Sequence, residues 1–446
     1  MFEGLPGLRQ LFLTRPSVPE TRLRPETDFD RKRLVRDMMI CGLVALGVRF
    51  VAAACLTNGF QPSLWEYEDI TLNMMTRGEF VLWYRDYGEY YALEAPGYPV
   101  LSFLVYSLFG VNHQLMLLVQ FLLALLLGFC VYLLSWRLFR CQIAARFAAL
   151  LVLVHPGIAV YGATKLHSFN LYVPLCYAVT LLLVICHQQQ ASWAYVLLGL
   201  VGAAAVLSRA TFLPVILLSL LILCLTGRGS SWPRRTAWAL LCLAVLVAGN
   251  LPWTVRNYRV LGQAFFSQTN GWEQLWVGNN LHATGTHYTA NGQLVLAHKP
   301  PEMQAELAAS ASELTDAAIF KKYTLAYIRE HPGHFVQGLL SKGWRFWWFH
   351  PQTGLFYPRS ALMVYKAFYL AVLGLGLLGL YSCQRRRLWS WEMTYPILLL
   401  LMLAAAHTLA FGEMRHRWTV EPVILLFSGL GLAELWRAIA RGAAKG

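Results

Sequence analysis

Charged side chains are scarce in this sequence. Asp, Glu, Lys and Arg make up 13% of its 446 residues, whereas 57% are hydrophobic. About a quarter of the residues are charged in a typical soluble domain, so this composition excludes that class of protein. Apolar runs of about 17–25 residues recur between short polar turns and are long enough to cross a bilayer. The sequence therefore predicts an all-α polytopic membrane protein.

Disulfide-forming cysteines and long linkers are also missing from the segments between the apolar runs. All nine cysteines fall in predicted spans or in predicted cytoplasmic turns, so no disulfide framework is expected in the longer loops. No Gly/Ser-rich or Pro-rich linker separates two soluble domains. The first 30 residues lack the apolar core of a cleavable signal, and we interpret residues 1–33 as a polar cytoplasmic arm.

The apolar runs predict ten spans, which form a transmembrane domain over residues 34–437. The spans are 34–56, 113–136, 147–163, 169–187, 193–208, 210–226, 236–254, 361–382, 392–411 and 418–437. With a cytoplasmic N-terminus, every cytoplasmic turn except the one at 187–193 is basic, as the positive-inside rule requires. Residues 438–446 then form a basic cytoplasmic tail, and two long loops, 57–112 and 255–360, lie on the outer face.

Both predicted outer loops contain elements of their own. Residues 96–110, PGYPVLSFLVYSLFG, are apolar but short, so we place them as an interfacial helix. An eleventh span at this position would invert every later loop and spoil the charge pattern. In the second loop, residues 302–329 have helical spacing, and the Trp-rich segment 343–351 is typical of an interfacial belt.

The first outer loop carries three carboxylates within four residues, Glu66, Glu68 and Asp69. Carboxylates are costly near a bilayer, so such a cluster indicates that at least one of them has a function. On a helix, Glu66 and Asp69 share a face because they are three residues apart. Another acidic residue of the cluster would form an ion pair, for which Arg77 and Arg85 are the candidates.

Several basic residues also fall on the predicted outer face, where the positive-inside rule does not call for them. They are Lys165, Arg209, Arg256, Arg259, Arg415 and Arg417. Their convergence on one face favours an anionic ligand, with a phosphate at headgroup level as the candidate. Each of them could instead extend to lipid headgroups. The histidine pairs 282/287 and 331/334 lack a third ligand of suitable spacing, so the pattern does not favour a zinc site.

Several segments of the sequence resemble those of a known family. The segments PWTVRNYRVLG (252–262) and QTNGWEQLWVGNNLHATG (268–285) resemble the outer-face segment of bacterial GT-C membrane glycosyltransferases. That group includes family 39 protein mannosyltransferases and lipid A aminoarabinose transferases. Further motifs follow in the family's order: the acidic cluster, PGYP before LFG, LSRA (207–210), REHPGHF (329–335) and R-x-R before the last span. The resemblance covers most of residues 35–437.

The resemblance implies a GT-C type helical bundle in a bacterial inner membrane, with both termini cytoplasmic and the active site on the outer face. It implies transfer of a sugar from a polyprenyl-phosphate donor to a lipid, glycan or protein acceptor, with inversion. Membrane lipids are expected partners and nucleic acid is not. No cofactor is expected with certainty, and a divalent metal is left open.

The family's motifs also imply site residues. The acidic position aligns with Glu66, and Asp69 is the second choice for the general base, although Trp65 stands where many relatives carry an aspartate. The donor phosphate would contact Arg256, Arg209, Arg415, Arg417 and Lys165. The expected substrate-binding residues are Glu94, Tyr98, Asn257, Asn279 and His167. Many relatives carry a glutamate at the start of the fourth span, where this chain has Phe169, and His167 is the candidate replacement.

The alternative hypothesis is a transporter or flippase for an anionic lipid or a lipid-linked sugar. Such proteins commonly have inverted repeats, broken helices in matched halves and charges at mid-membrane. Here the charges lie at one face and the halves do not match. A non-catalytic subunit of an envelope assembly is a further alternative.

Overall fold

The computed structural model describes residues 29–84, 88–227, 229–349 and 359–443, and most of them are helical. The elements, in chain order, are α1 (Arg31–Leu56), α2 (Glu66–Thr76), β1 (Leu82–Tyr84), β2 (Gly88–Tyr90), α3 (Gly97–Phe109), α4 (His113–Phe139), α5 (Gln142–Leu153), α6 (Pro156–Thr164), α7 (Phe169–Gln189), α8 (Ser192–Ser208), α9 (Leu213–Thr226), α10 (Trp232–Leu261), α11 (Gly271–Val277), α12 (Pro301–Ala308), α13 (Glu313–Glu330), α14 (Pro332–Trp347), α15 (Arg359–Arg385), α16 (Thr394–Leu409), α17 (Met414–Arg417) and α18 (Glu421–Ala443). The predicted arm lies almost wholly outside the described residues, and so does the end of the predicted tail.

Seven helices in the described part of the chain are long and apolar enough to cross a membrane. They are α1, α4, α7, α10, α15, α16 with the turn before it, and α18. The pair α5–α6 would make an eighth span, whereas α8 and the segment 210–226 are apolar but shorter. The prediction of an all-α polytopic fold is confirmed, and the count of ten spans is not settled by length and composition.

The predicted span 147–163 is not one straight helix. It is the pair α5–α6, which is bent by 47° at the break between the two helices. Pro156 starts α6 and has no N–H to continue the hydrogen bonds of α5. The imidazole Nδ1 of His155 accepts the backbone N–H of Ile158 at 3.2 Å and so caps the new helix.

Two predicted boundaries differ from the structure. Helix α10 does not end at residue 254 but continues to Leu261, with Pro252 inside it. Arg256 and Asn257 therefore lie on the helix and not beyond its end. The predicted helix 302–329 is interrupted, because α12 ends at Ala308 and α13 begins at Glu313 after the N-cap Ser312.

The helices pack closely where small residues face one another. In the contact between α15 and α18, a Cβ on Gly379 would lie 1.9 Å from the carbonyl oxygen of Phe427. Only glycine fits at this distance, and close backbone approach is the usual way in which membrane helices associate. Helix α7 is the most enclosed of the candidate spans, with 78% of its apolar window buried.

The two long loops fold against each other at one end of the bundle. Strands β1 and β2 pair antiparallel, with Leu82 opposite Tyr90. The Glu313 carboxylate at the start of α13 accepts the backbone N–H groups of Tyr91 and Ala92, each at 3.2 Å, and the Thr269 hydroxyl at 3.0 Å. A separate apolar cluster joins α11, α12 and α13. The loops thereby form one ordered layer over the helix ends.

Candidate functional site

The start of the first loop is fixed to the connection between α6 and α7 by backbone hydrogen bonds. The Ser63 N–H donates to the carbonyl of Thr164 at 2.8 Å, and the Leu166 N–H donates to the carbonyl of Ser63 at 3.1 Å. This pairing brings the residues that follow Ser63 next to those that follow Thr164. Trp65 and Glu66 thus lie beside Lys165 and His167, which are a hundred residues later in the sequence.

Glu66 is the first residue of α2 and is partly buried. Burial raises the pKa of Glu66, and the positive charges of Arg415 and Arg209 act in the opposite direction. The helix N-terminus also favours the ionised carboxylate. Asp69 lies on the same helix but is exposed, and its charge adds to the rise in the pKa of Glu66. Of the two predicted bases, Glu66 is the partly buried one and Asp69 the exposed one.

Glu94 joins Glu66 in the same region. Its carboxylate accepts a hydrogen bond from the Asn270 amide at 2.9 Å and a longer one from the Tyr67 hydroxyl at 3.4 Å. Burial and the neighbouring charge of Glu66 raise the pKa of Glu94 to about 8, and Arg209 opposes this rise. The site therefore contains two interacting carboxylates whose environments differ.

Glu68 has a structural role. Its buried carboxylate accepts the Tyr106 hydroxyl at 3.0 Å and lies 2.9 Å from Nε2 of His113. These contacts join α2 to α3 and to the start of α4. The expected ion pair to Arg77 is not formed, because the Arg77 guanidinium contacts Glu79 and Glu89 instead, and Arg85 lies outside the described residues.

Three of the predicted phosphate ligands lie around Glu66. The Arg415 guanidinium donates to the Tyr161 hydroxyl at 3.2 Å and lies 5.4 Å from the ring centre of Trp65. Lys165 Nζ lies 5.3 Å from the same ring, and burial lowers the pKa of Lys165, as does the charge of Arg415. Arg209 lies over the Phe169 ring at 5.9 Å and makes no ion pair with a carboxylate among the described residues.

Arg256 is placed differently from what its sequence position predicts. Its guanidinium donates to the carbonyl oxygens of Tyr91 at 2.5 Å and Phe80 at 2.7 Å, and it stacks on the Trp253 ring at 4.9 Å. The side chain therefore attaches the first loop to α10. Because its donors are used in this way, the geometry does not support Arg256 as a phosphate ligand.

Arg417 is also engaged within the protein. It is fully buried, and its guanidinium donates to Glu421 at 2.5 Å and to the Tyr365 hydroxyl at 2.8 Å. Glu421 is further bonded to His155. Glu413, which is close to Arg417 in the chain, pairs with Arg415 at 2.9 Å instead. A guanidinium enclosed in this network stabilises the fold and does not bind a ligand.

The predicted substrate-binding residues also divide into two groups. Tyr98 is buried and donates to Gln120 at 2.8 Å, while the Asn257 amide donates to the Phe265 carbonyl at 3.2 Å. The Asn279 amide donates to the Leu409 carbonyl at 2.9 Å, and its oxygen accepts a hydrogen bond from Lys342. Tyr98 also packs edge-on against Tyr67, with ring centroids 5.6 Å apart, so it lies beside the site, whereas Asn257 and Asn279 are bonded within the loops.

His167 lies next to the site but is enclosed. Its ring contacts those of Trp65 and Tyr67, with centroids 5.2 and 5.1 Å apart, and its Nδ1 accepts the Phe169 N–H. Burial and the nearby cations, led by Arg415, lower the pKa of His167 well below its ordinary value. A neutral, packed imidazole positions its neighbours and does not replace an acidic residue.

Sequence reasoning missed several residues of the site. Two of them, Tyr67 and Asn270, hold the Glu94 carboxylate. Two others are His407 and His416, whose rings stack 4.2 Å apart. They lie close enough to Arg209 and Arg415 for those charges to act on them. Asn270 lies in a segment that carried the family resemblance, which was the only available signal for it. Among the described residues, no group of three His, Cys, Asp or Glu side chains is arranged to hold a metal ion.

The chain is similar to known proteins in part of its sequence and in its fold. A family model described as dolichyl-phosphate-mannose-protein mannosyltransferase matches residues 94–253. The crystal structure of the Archaeoglobus fulgidus oligosaccharyltransferase complex with Zn and sulfate superposes with a TM-score of 0.56 at 16% identity, over 90% of this chain. The chain has a GT-C type fold. It covers 49% of that archaeal chain, about half of its length.

A second solved structure is similar with a lower score. ArnT from Cupriavidus metallidurans, bound to undecaprenyl phosphate, gives a TM-score of 0.40 at 16% identity, covering 90% of this chain and 79% of that one. No curated protein sequence matches the chain significantly. The family match and the shared fold confirm the resemblance to GT-C proteins, and together they support a membrane glycosyltransferase of this type.

Proposed function

We propose that the protein transfers a sugar from a polyprenyl-phosphate donor to an acceptor hydroxyl, at the membrane face that carries the loops 57–112 and 255–360. The family model that matches residues 94–253 is named for enzymes that use a sugar linked to dolichyl phosphate, which is a polyprenyl phosphate. The fold supports the same class of reaction. The outer face of a bacterial inner membrane is the location that fits the charge pattern.

One observation carries this proposal: a carboxylate of raised pKa, Glu66, lies within the electrostatic influence of Arg209 and Arg415. In the proposed step, Glu66 takes the proton of the acceptor hydroxyl while the acceptor oxygen attacks the anomeric carbon. The bond from that carbon to the phosphate oxygen breaks, and the electron pair leaves with the polyprenyl phosphate. A raised pKa brings a carboxylate closer to the range in which a general base works well.

The two carboxylates would have different roles. With a pKa of about 8, Glu94 is mostly protonated at neutral pH, so it can donate a hydrogen bond to a hydroxyl of the sugar or the acceptor. Both arginines and the N-terminus of α2 favour the charged form of Glu66, so we assign Glu66 as the ionised member of the pair. This division assigns Glu66 as the base and Glu94 as an orienting group.

The leaving phosphate needs cations that can reach it. Arg209, Arg415 and Lys165 lie around Glu66, and Arg415 also pairs with Glu413, whereas the guanidinium groups of Arg256 and Arg417 are held by partners elsewhere in the protein. Guanidinium groups bind phosphate oxygens through paired N–H donors and offset the charge that develops as the glycosidic bond breaks. We therefore narrow the phosphate ligands to Arg209 and Arg415, with Lys165 behind them.

Two matched variants on α2 test the proposal. Glu66→Gln and Asp69→Asn make the same chemical change three residues apart, one beside the arginines and one in an exposed position. We expect Glu66→Gln to lower sugar transfer by about 10²–10⁴-fold, the usual contribution of a general base, while Asp69→Asn stays near wild type. Transfer is measured with purified protein and a polyprenyl-phosphate sugar in liposomes.

The opposite pattern, or full activity in both variants, would show that the base assignment is wrong. A flippase would give a different result in the same vesicles. It would move the labelled lipid between leaflets and leave its glycosidic bond intact, and Glu66→Gln would not change the amount of cleaved donor.

A further inference from the structure

A cavity lies in the layer of loops over the helix ends, apart from the carboxylates of the candidate site. Its volume is about 590 Å³, and small-molecule sites usually measure about 300–1,000 Å³. None of the residues assigned above to the base, the orienting carboxylate or the donor phosphate lines it. The lining side chains come from α11, from α13 and from the segment 280–301. The cavity is thus large enough for a ligand and is not part of the proposed catalytic site.

One wall of the cavity is formed by the segment 280–301, which doubles back on itself. The Val295 N–H donates to the carbonyl of His287 at 2.9 Å, and the Val295 side chain is buried in the apolar cluster that joins α11, α12 and α13. This turn brings the imidazole rings of His282 and His298 together, with centroids 5.1 Å apart. Both rings line the cavity. The wall is therefore an ordered part of the loop layer.

The opposite wall consists of two tyrosines on α13. Tyr323 and Tyr327 are four residues apart, so they lie on one face of the helix, and both line the cavity. The Tyr323 hydroxyl donates to Glu306 at 3.0 Å, and the Tyr327 hydroxyl lies 2.7 Å from Nδ1 of His334. Neither of these partners lines the cavity, so the two rings are held from outside it. Rings fixed in this way lose little conformational entropy when a ligand binds.

The polar residues of the cavity favour an uncharged, hydroxyl-rich ligand. Lys299 and Glu330 both line it and carry opposite charges, so the cavity has no strong preference for an anion. An ammonium group only donates hydrogen bonds and a carboxylate only accepts them, whereas a sugar hydroxyl can do both. The ring faces of Tyr323 and Tyr327 suit the C–H faces of a sugar ring. The combination is that of a saccharide site, since a purely apolar ligand would leave the polar groups unused.

The short helix α11 connects this cavity to the candidate site. Asn270 is its N-cap residue and donates to the Glu94 carboxylate, while Trp276 in its last turn lines the cavity. Six residues at 1.5 Å each separate the two positions by about 9 Å along the helix. A saccharide in the cavity is therefore close enough to be a remote part of a molecule whose hydroxyl lies near Glu66 and Glu94. Binding of such a remote part can be used to position the reacting group.

We propose that this cavity binds a saccharide unit of the acceptor and that the acceptor is therefore a glycan or a glycan-bearing molecule. This inference rests on the proposed function, because it names the class of acceptor for that reaction. It assigns a binding role to Tyr323, Tyr327, Lys299 and Glu330, none of which contacts the reacting atoms.

Two pairs of variants test the proposal. Ala297→Trp fills the cavity, because Ala297 is exposed and lines it, and Ala305→Trp is the matched control at an exposed position that does not line it. Tyr327→Leu removes a ring from the wall, and Tyr327→Phe keeps the ring while removing its hydroxyl. Purified protein in detergent is applied to an array of bacterial envelope oligosaccharides. The glycan that binds best is then offered as acceptor, with the polyprenyl-phosphate sugar as donor.

We expect the wild-type protein to bind at least one glycan and to transfer the sugar onto it. Ala297→Trp should weaken this binding about tenfold or more, and Ala305→Trp should leave it unchanged. Tyr327→Leu should weaken it by about 3- to 10-fold, the usual effect of one aromatic contact, and Tyr327→Phe should stay near wild type. In the transfer assay, Ala297→Trp and Tyr327→Leu should raise the KM for the glycan and leave kcat and donor affinity unchanged, since the contact is remote from the reacting atoms.

Several results would overturn the inference. One is that no glycan binds, or that the bound glycan is retained by Ala297→Trp; if that variant does not fold, equal binding by Tyr327→Leu and Tyr327→Phe decides against the cavity. Displacement of the glycan by inorganic phosphate would indicate an anion site instead, and a bound glycan that receives no sugar would exclude the acceptor role. If the cavity variants transfer normally while Glu66→Gln abolishes transfer, only this inference fails. If Glu66→Gln keeps full transfer, the proposed function fails and the acceptor role fails with it.

Discussion

Arg256 and Arg209 provide a sharp test of the site. The sequence predicts both as phosphate ligands, but the structure gives their guanidinium groups different surroundings. Arg256 donates to two backbone carbonyls of the first loop. Arg209 lies over aromatic rings near Glu66 and Glu94, and its charge opposes the rise in their pKa values. We expect Arg256→Met to lower stability without changing donor affinity, and Arg209→Met to do the reverse.

The size of the stability effect follows from the contacts that are lost. A hydrogen bond to a charged donor contributes about 1.5–3 kcal/mol, and Arg256→Met removes two of them, at 2.5 and 2.7 Å. Arg256 is partly exposed, so water can replace part of this loss. We therefore expect a destabilisation of about 2–4 kcal/mol, which corresponds to a drop in Tm of roughly 2–4 °C for a chain of this length.

The assay pairs a thermal melt in detergent with a binding curve for polyprenyl phosphate on the same preparations. For Arg209→Met we expect an unchanged Tm and an affinity reduced about tenfold or more, since at least one charge-assisted contact to the phosphate is removed. A loss of donor affinity in Arg256→Met at wild-type Tm would refute the reasoning. So would an unchanged affinity in Arg209→Met.

Three further outcomes follow from the charges around the loops. The charge of Arg415 lowers the pKa of Glu66, and a general base acts only when it is ionised. Arg415→Met should therefore move the acid limb of the pH–rate profile to higher pH. An acid limb at the wild-type pH would contradict this coupling. Lys342 donates to the carbonyls of Gly278 and Leu409, at 3.0 and 3.1 Å, so Lys342→Met should destabilise the protein by about 1–3 kcal/mol in a thermal melt. Burial lowers the pKa of Lys342 from 10.5 to about 8, so the unfolded state binds the proton more tightly between these values. Wild-type stability relative to Lys342→Met should therefore rise as the pH increases from about 8 toward 10.5, and a fall over this range would contradict the burial argument.

The helices could largely be predicted from the sequence because hydropathy reports directly on burial in lipid. The first two long spans and the span at 169–187 match α1, α4 and α7 within a few residues. The break at Pro156 and the extension of α10 could not be predicted. The break has a local cause in His155 and Pro156 that hydropathy does not report, and the extension of α10 depends on distant contacts, the Arg256 hydrogen bonds that hold its last turns to the first loop.

The candidate site could be predicted in part, since charge and topology bring Glu66, Arg209 and Arg415 to the same end of the bundle. Sequence alone does not separate them from Arg417, because an arginine bonded within the core and one facing a ligand have the same local signature. The distinction depends on partners far away in the chain, such as Tyr365 for Arg417. The same holds for Glu68, whose partners lie on α3 and α4.

The central claim is that Glu66 acts as a base in a single displacement at the anomeric carbon of a polyprenyl-phosphate sugar. The most direct test is to compare, by NMR, the anomeric configuration of the donor with that of the product formed by the purified wild-type protein. A single displacement with Glu66 as the base gives the inverted configuration, and Glu66→Gln should form little of that product. Retention of configuration, or an equal yield of product from Glu66→Gln, would contradict the claim.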